Sequence, residues 1–159
     1  MSVKVLGILN VTPDSFSDGG RWQDSDQALA QAVRMVEQGA AAIDIGGEST
    51  RPGSLEISVQ QELDRVIPCL ERLSGHIDVP MSIDTRRYEV AAAAVSHGVT
   101  IINDTSALRD DPQLLEFVVE KNLDVVLMHR QGIPETMQAD PGYSDAVGEI
   151  GGFFRSRRE

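Results

Sequence analysis

The sequence predicts an α/β chain built on a parallel sheet with helices packed outside it. Three observations carry this. Short apolar runs of strand length recur five times along the chain. Each is followed by a segment with helical apolar spacing. The runs are near-continuous rather than alternating, as strands covered on both faces require. Two architectures accommodate five such βα units: an open doubly wound sheet, or the opening portion of a (β/α)₈ barrel.

The elements follow in order. "VKVLGILN" (3–10) reads as the first strand. "DSDQALAQAVRMVEQG" (24–39) reads as a helix, with Ala28, Leu29, Ala32, Val33 and Val36 on one face and Gly39 as its stop. "AAIDIG" (41–46) is the second strand. "SVQQELDRVIPCLERLS" (58–74) is the second helix, opened by Ser58 with Gln61 three residues on, a capping-box spacing. Pro68 falls inside it and is expected to kink it. "PMSIDT" (80–85) is the third strand, and "RRYEVAAAAVSHG" (86–98) a helix ending at Gly98. "VTIIND" (99–104) is the fourth strand. Asp111 and Pro112 are the cap and first residue of the helix in "DPQLLEFVVEKN". "LDVVLMH" (123–129) is the fifth strand. "YSDAVGEIGGFFRSRRE" (143–159) starts a fifth helix weakened by Gly148, Gly151 and Gly152. The last residues carry neither cap nor breaker, so the chain reads as one cut short.

Composition narrows the function classes. The chain of 159 residues, 41% apolar, suffices for one domain with a real core. A net charge of −11 repels a nucleic-acid backbone, so nucleic-acid binding is not expected. An anionic substrate then needs a local arginine cluster. The single cysteine, Cys69, excludes an intrachain disulfide and a cysteine-rich zinc site. Its neighbours Val66, Ile67, Leu70 and Leu73 make it a small core residue. No run is long enough to span a membrane, and a cytoplasmic location is the expectation.

In either architecture ligands bind at the carboxyl ends of the strands. Those ends are polar without exception: Asn10; Asp44 with the loop "GGESTRPG"; Asp84 and Thr85; Asn103 and Asp104; Met128 and His129. Asn and Asp are ordinary turn and cap residues. Five such ends on one side of one sheet instead describe a site for a small, flat, polar heterocycle. A carboxylate accepts only, whereas a carboxamide donates and accepts, so Asp84 and Asn103 together can read the edge of a nitrogen ring. In "ESTRPG", Ser49, Thr50 and Arg51 suit a carboxylate or phosphate, or form a plain Pro-Gly turn. "SFSDGG" is either a glycine hinge or a mobile lid carrying Phe16. His129 has no second histidine at ligand spacing and reads as a hydrogen-bonded strand end. His76 and His97, near helix C-termini, read as structural or solvated. Trp22 and Tyr143 fall in polar loops.

The motifs are more specific than the spacing. "GILNVTPDSFSDGG" and "GAAAIDIGGESTRPG" resemble the two signature segments of the dihydropteroate synthase family. "SIDTRRYEVAAAAVSHGVTIINDTSA" and "LMHRQGIPETMQ" resemble its next two active-site segments, in order and at the right spacing. The resemblance implies a TIM (β/α)₈ barrel, truncated here to about five βα units, with 1–159 an incomplete pterin-binding domain. It implies condensation of 6-hydroxymethyl-7,8-dihydropterin diphosphate with 4-aminobenzoate, with loss of pyrophosphate. The diphosphate leaves a cation-like pterin methylene, which the arylamine nitrogen captures.

Residue roles follow from the same resemblance. Asp84 and Asn103 match pterin-edge readers and Met128 an apolar wall of that pocket. Asn10 matches the residue beside Mg²⁺ and the diphosphate, and Thr50 a diphosphate residue. Arg51 and Pro52 match the loop of the aminobenzoate site; Phe16 and Asp18 match a first loop that folds over the reacting groups. No group is assigned as an acid or base, and Asp44, Glu48 and His129 receive no role. The rest of the family's site comes from later units: a second pterin-binding Asp, a Lys-Ser pair, and an Arg with a nearby His. A homodimer is implied for a full-length parent. Two other readings stand beside this one: a non-catalytic half-barrel that binds a pterin or another chain, and a related barrel that transfers methyl groups from methyltetrahydrofolate.

Overall fold

A computed structural model describes residues 3–12, 21–49, 56–132 and 141–157, with only the backbone described at 21–24. The strands are β1 (Val5–Asn10), β2 (Ala40–Gly46), β3 (Met81–Asp84), β4 (Val99–Asp104) and β5 (Asp124–Leu127). The helices are α1 (Arg21–Glu37), α2 (Val59–Leu73), α3 (Tyr88–Ser96), α4 (Pro112–Lys121) and α5 (Ala146–Ser156). All neighbouring strands are parallel and the sheet order is β1-β2-β3-β4-β5.

That order decides between the two expected architectures. A doubly wound sheet reverses its strand order at a switch point. Here each strand adds beside the last, and right-handed crossovers then place every connecting helix on the same face. The helices do pack in sequence, α1 on α2, α2 on α3 and α3 on α4. This is the singly wound course of a (β/α)₈ barrel, represented by its first five βα units.

Local signals explain the helix boundaries. Ser58 Oγ accepts from Gln61 N at 3.2 Å, and Gln61 Oε1 accepts from Ser58 N at 2.9 Å, closing the expected capping box. Helix α2 continues through Pro68 to Leu73. Asp111 Oδ1 accepts from Gln113 N and Pro112 opens α4, while Asn122 ends it in the left-handed region at φ 50°. Gly39 and Gly98 stop the preceding helices with positive φ, where a side chain is strained. Helix α5 starts later than expected, because Asp145 caps it. Trp22 lies within α1 rather than in a loop.

The core lies between the sheet and α1–α4. Leu9, Ile43, Ile45, Ile83 and Ile102 from the strands meet Ala28, Ala32, Val66, Leu70, Leu73, Val90, Ala94 and Leu114 from the helices. Burial of a side chain such as Leu70 is worth about 1.5–3 kcal/mol. Cys69 is in this layer, and burial pushes its thiol up to about 12, as befits an unreactive core residue. Among the described residues no helix is long and apolar enough to cross a membrane.

Candidate functional site: a polar rung on the inner face of the sheet

Side chains alternate across a strand, and the register shows what each face receives. On the helix side, Leu9, Ile45, Ile83 and Ile102 align across four strands and are all at most 2% exposed. One residue further on, Asn10, Gly46, Asp84, Asn103 and Val126 align on the opposite, inner face. The inner row below that is Ile8, Asp44, Ser82, Ile101 and Asp124. Three of the expected site residues therefore share one rung. Met128 follows β5, two residues past Val126, and is half-buried.

Gly46 opens the middle of this rung. A Cβ there would lie 3.4 Å from Asn10 Oδ1 and 3.7 Å from Asp84 Oδ2. Both side-chain oxygens thus converge over the glycine from the flanking strands. The next residue, Gly47, is glycine for another reason: a Cβ would stand 2.7 Å from Val66 Cγ1. The end of β2 has to press closely on α2. Backbone bonds carry the pairing past the strand ends. Val11 N donates to Gly46 O at 2.9 Å, and Thr85 N to Asn103 O at 3.1 Å.

Asp84 is electrostatically distinct. Burial raises its pKa to about 7, helped by the negative charges of Asp44, Glu62, Asp104 and Glu48. Near neutral pH the group is divided between an acceptor-only carboxylate and a carboxylic acid that also donates. Asn103 beside it donates from Nδ2 to Asp44 Oδ2 at 2.9 Å. A flat ring with donors and acceptors on its edge is the ligand that such a pair can read.

A second polar layer lies behind the rung and ties the loops together. The Arg87 guanidinium donates to the buried Glu62 carboxylate, to Ile57 O at 2.7 Å, and to Glu48 and Glu56 at 3.3 Å. Ile57 N donates to Glu48 Oε1 at 3.1 Å. Arg86 pairs with Glu56 at 2.6 Å and Asp110 at 3.5 Å, and Arg130 with the same Asp110 at 2.8 Å. Sequence reasoning read Arg86 and Arg87 only as the start of a helix. Their acidic partners lie 20 or more residues away in sequence, so no local spacing announces them.

The structure separates the strand-end residues that sequence treated alike. Asn10, Asp84 and Asn103 face inward together. Asp104 faces the other way: it accepts from Ser106 N, Ser106 Oγ and Leu108 N at 2.6–2.8 Å. Those bonds hold Ala107 and Leu108 in the left-handed region, at φ 56° and 58°. Asp104 thus builds a turn and does not join the inward-facing rung. His129 packs edge-on to Phe153 at 4.8 Å between centroids, with Tyr143 Oη 3.4 Å from its Nδ1. It anchors α5, as a hydrogen-bonded strand-end histidine should. Phe16, Asp18, Thr50, Arg51 and Pro52 lie outside the described residues.

A parallel sheet with the course of a barrel and a hydrogen-bonding rung at its carboxyl end is the layout of the α/β-barrel class, whose members place their sites at that end. The chain belongs to the pterin binding enzyme family, whose model matches residues 6–159. It is 45% identical over 153 residues to a dihydropteroate synthase of Synechocystis, covering 96% of this chain and 53% of that protein. Its fold matches the Yersinia pestis dihydropteroate synthase solved with a sulfonamide drug, with a TM-score of 0.87 at 49% identity. That match covers 97% of this chain and 56% of the other. A Xanthomonas albilineans dihydropteroate synthase with 4-aminobenzoic acid matches with a TM-score of 0.83 at 46% identity, covering 97% and 54%. The chain thus spans about half the length of the relatives it matches.

Proposed function

We propose that the protein is a dihydropteroate synthase whose pterin-reading half lies in this sequence. It joins 6-hydroxymethyl-7,8-dihydropterin diphosphate to 4-aminobenzoate, with pyrophosphate leaving. The observation that carries the reading is the Asn10–Gly46–Asp84–Asn103 rung, in a chain of the pterin binding enzyme family. Asp84 and Asn103 take the donor and acceptor edge of the pterin, and Met128 forms an apolar wall. Gly46 leaves room for the ring between Asn10 and Asp84. Thr50 and Asn10 serve the diphosphate. Arg51 and Pro52 build the aminobenzoate side, with Phe16 and Asp18 closing over the reacting carbon. Catalysis then consists of holding the arylamine nitrogen in line with the departing diphosphate and keeping water from the methylene.

Magnesium fits this arrangement in one form only. Among the described residues no group of three acidic, histidine or cysteine side chains gathers as a metal cage. Asn10 offers one hard carboxamide oxygen at the gap over Gly46. Such a site suits an ion that takes most of its ligands from phosphates and water. Bound there, Mg²⁺ would neutralise charge on the leaving oxygens.

The test is an assay on the product of the full reading frame containing this sequence. Pyrophosphate release should require 4-aminobenzoate and should be blocked by a sulfonamide. Pterin binding without release would support the half-barrel reading instead. Methyl transfer from methyltetrahydrofolate would support the other barrel chemistry.

A further inference from the structure

Asp44 has no assigned role, yet it is one of the most buried charged residues in the chain, at 3% exposure. It sits one inner row below the rung, between Ile8 and Ser82 in register. Its Oδ2 accepts from Asn103 Nδ2 at 2.9 Å, whereas its Oδ1 is buried with no partner among the described residues. The bond spans two strand spacings, from β2 to β4, passing over β3. It can do so because β3 presents the small Ser82 at that level, whose own buried Oγ makes no bond among the described residues.

We propose that Asp44 is a positioning residue that sets which atom Asn103 shows to the ligand. A carboxylate accepts and cannot donate, so it can hold the Asn103 carboxamide only by its nitrogen. With Nδ2 turned down toward Asp44, Oδ1 is left as the atom presented at the rung. Without that bond the carboxamide is free to rotate by half a turn, exchanging acceptor for donor at almost no change in shape. The ring edge would then be read wrongly or indifferently. The unpartnered Oδ1 of Asp44 fits the same reading. A residue kept in the interior for fold stability alone is normally satisfied at both oxygens.

The inference rests on the pterin reading and deepens it. The probes are pterin and lumazine, which carry a donor and an acceptor respectively at ring position 2. Calorimetry on the product of the full reading frame should show a preference for pterin. Asp44→Ala should weaken pterin binding by about tenfold, the size of one charge-assisted hydrogen bond. It should also bring the pterin-to-lumazine ratio toward one. Asp44→Asn keeps the shape and packing of the side chain but can donate to Asn103 Oδ1 as well as accept from Nδ2, so it should also bring the ratio toward one, whereas a purely structural role predicts an unchanged ratio. Ser82→Val leaves both partners intact but obstructs the bridge, and should reproduce the loss if the alanine variant does not fold. An unchanged ratio in Asp44→Ala and Ser82→Val would overturn the inference. Wild-type protein that binds neither probe would overturn the pterin reading instead. The side-chain NH₂ resonances of Asn103 by NMR would then decide the inference alone: they should shift in Asp44→Ala, and no shift would refute it.

Discussion

The two faces of the same sheet obey opposite rules. On the helix side, Leu9, Ile45, Ile83 and Ile102 form a dry layer with no polar atom to satisfy. On the inner side, the residues next to them in sequence are Asn10, Gly46, Asp84 and Asn103, and one row below them Asp44 Oδ1 and Ser82 Oγ are buried with no partner among the described residues. One face closes the fold and is complete. The other turns polar groups inward, away from the helices. The alternation of a strand lets both be written into six residues, so that "IIND" supplies a core isoleucine, an inward-facing amide and a turn-building carboxylate in succession.

The sharpest way to break this division is through the layer that supports both faces. Glu62 is 1% exposed and depends on Arg87, whose guanidinium also holds Ile57 O and Glu48. Burial pushes the Glu62 carboxyl up, and the Arg87 bonds oppose that shift. Arg87→Ala leaves a buried carboxylate uncompensated and should cost about 3–5 kcal/mol of stability. Urea unfolding monitored by circular dichroism measures it. A cost below about 1 kcal/mol, the range of an exposed ion pair, would show that the cluster is solvated.

How much of this was legible in the sequence follows the range of each interaction. Ser58 with Gln61, and Asp111 with Pro112, act within one helical turn, and their spacing is visible in a string of letters. The strands were legible from apolar runs, and the rung from polar residues at their ends. The strand order that selects a barrel course was not legible from the apolar runs, because it depends on pairings between distant segments; only the family motifs implied it. Strand alternation alone sets Asn103 and Asp104 on opposite faces, but which of the two turns inward needed the pairing with neighbouring strands. Asp44 reaches Asn103 over 59 positions, and Arg87 reaches Glu62 over 25, so no pattern pointed to either.

Asp84 tests the inner face by a smaller and two-sided effect. Asp84→Asn exchanges an acceptor for a group that also donates, and pterin affinity should fall by about tenfold or more. Stability should move the other way. With its pKa raised from 3.8 to about 7, native Asp84 holds a proton that the unfolded chain has released across that window. Its contribution therefore weakens as pH rises from about 4 to 7. The asparagine variant should lack that slope and be the more stable protein at pH 8. Melting curves between pH 4 and 8 would show it, and parallel curves for the two proteins would remove Asp84 from the account.

The smallest effect belongs to the apolar residues of the inner face. Ile8 is 65% exposed although its neighbour Leu9 is buried. In the chain of 159 residues, Ile8→Thr removes little buried area and keeps β-branching, so stability should change by less than about 0.5 kcal/mol. The same substitution at Leu9 would strip the core layer and should be far more costly. A loss above about 1 kcal/mol at Ile8 would mean that the inner face is covered in solution. If that loss also grew with protein concentration, self-association would be what covers it.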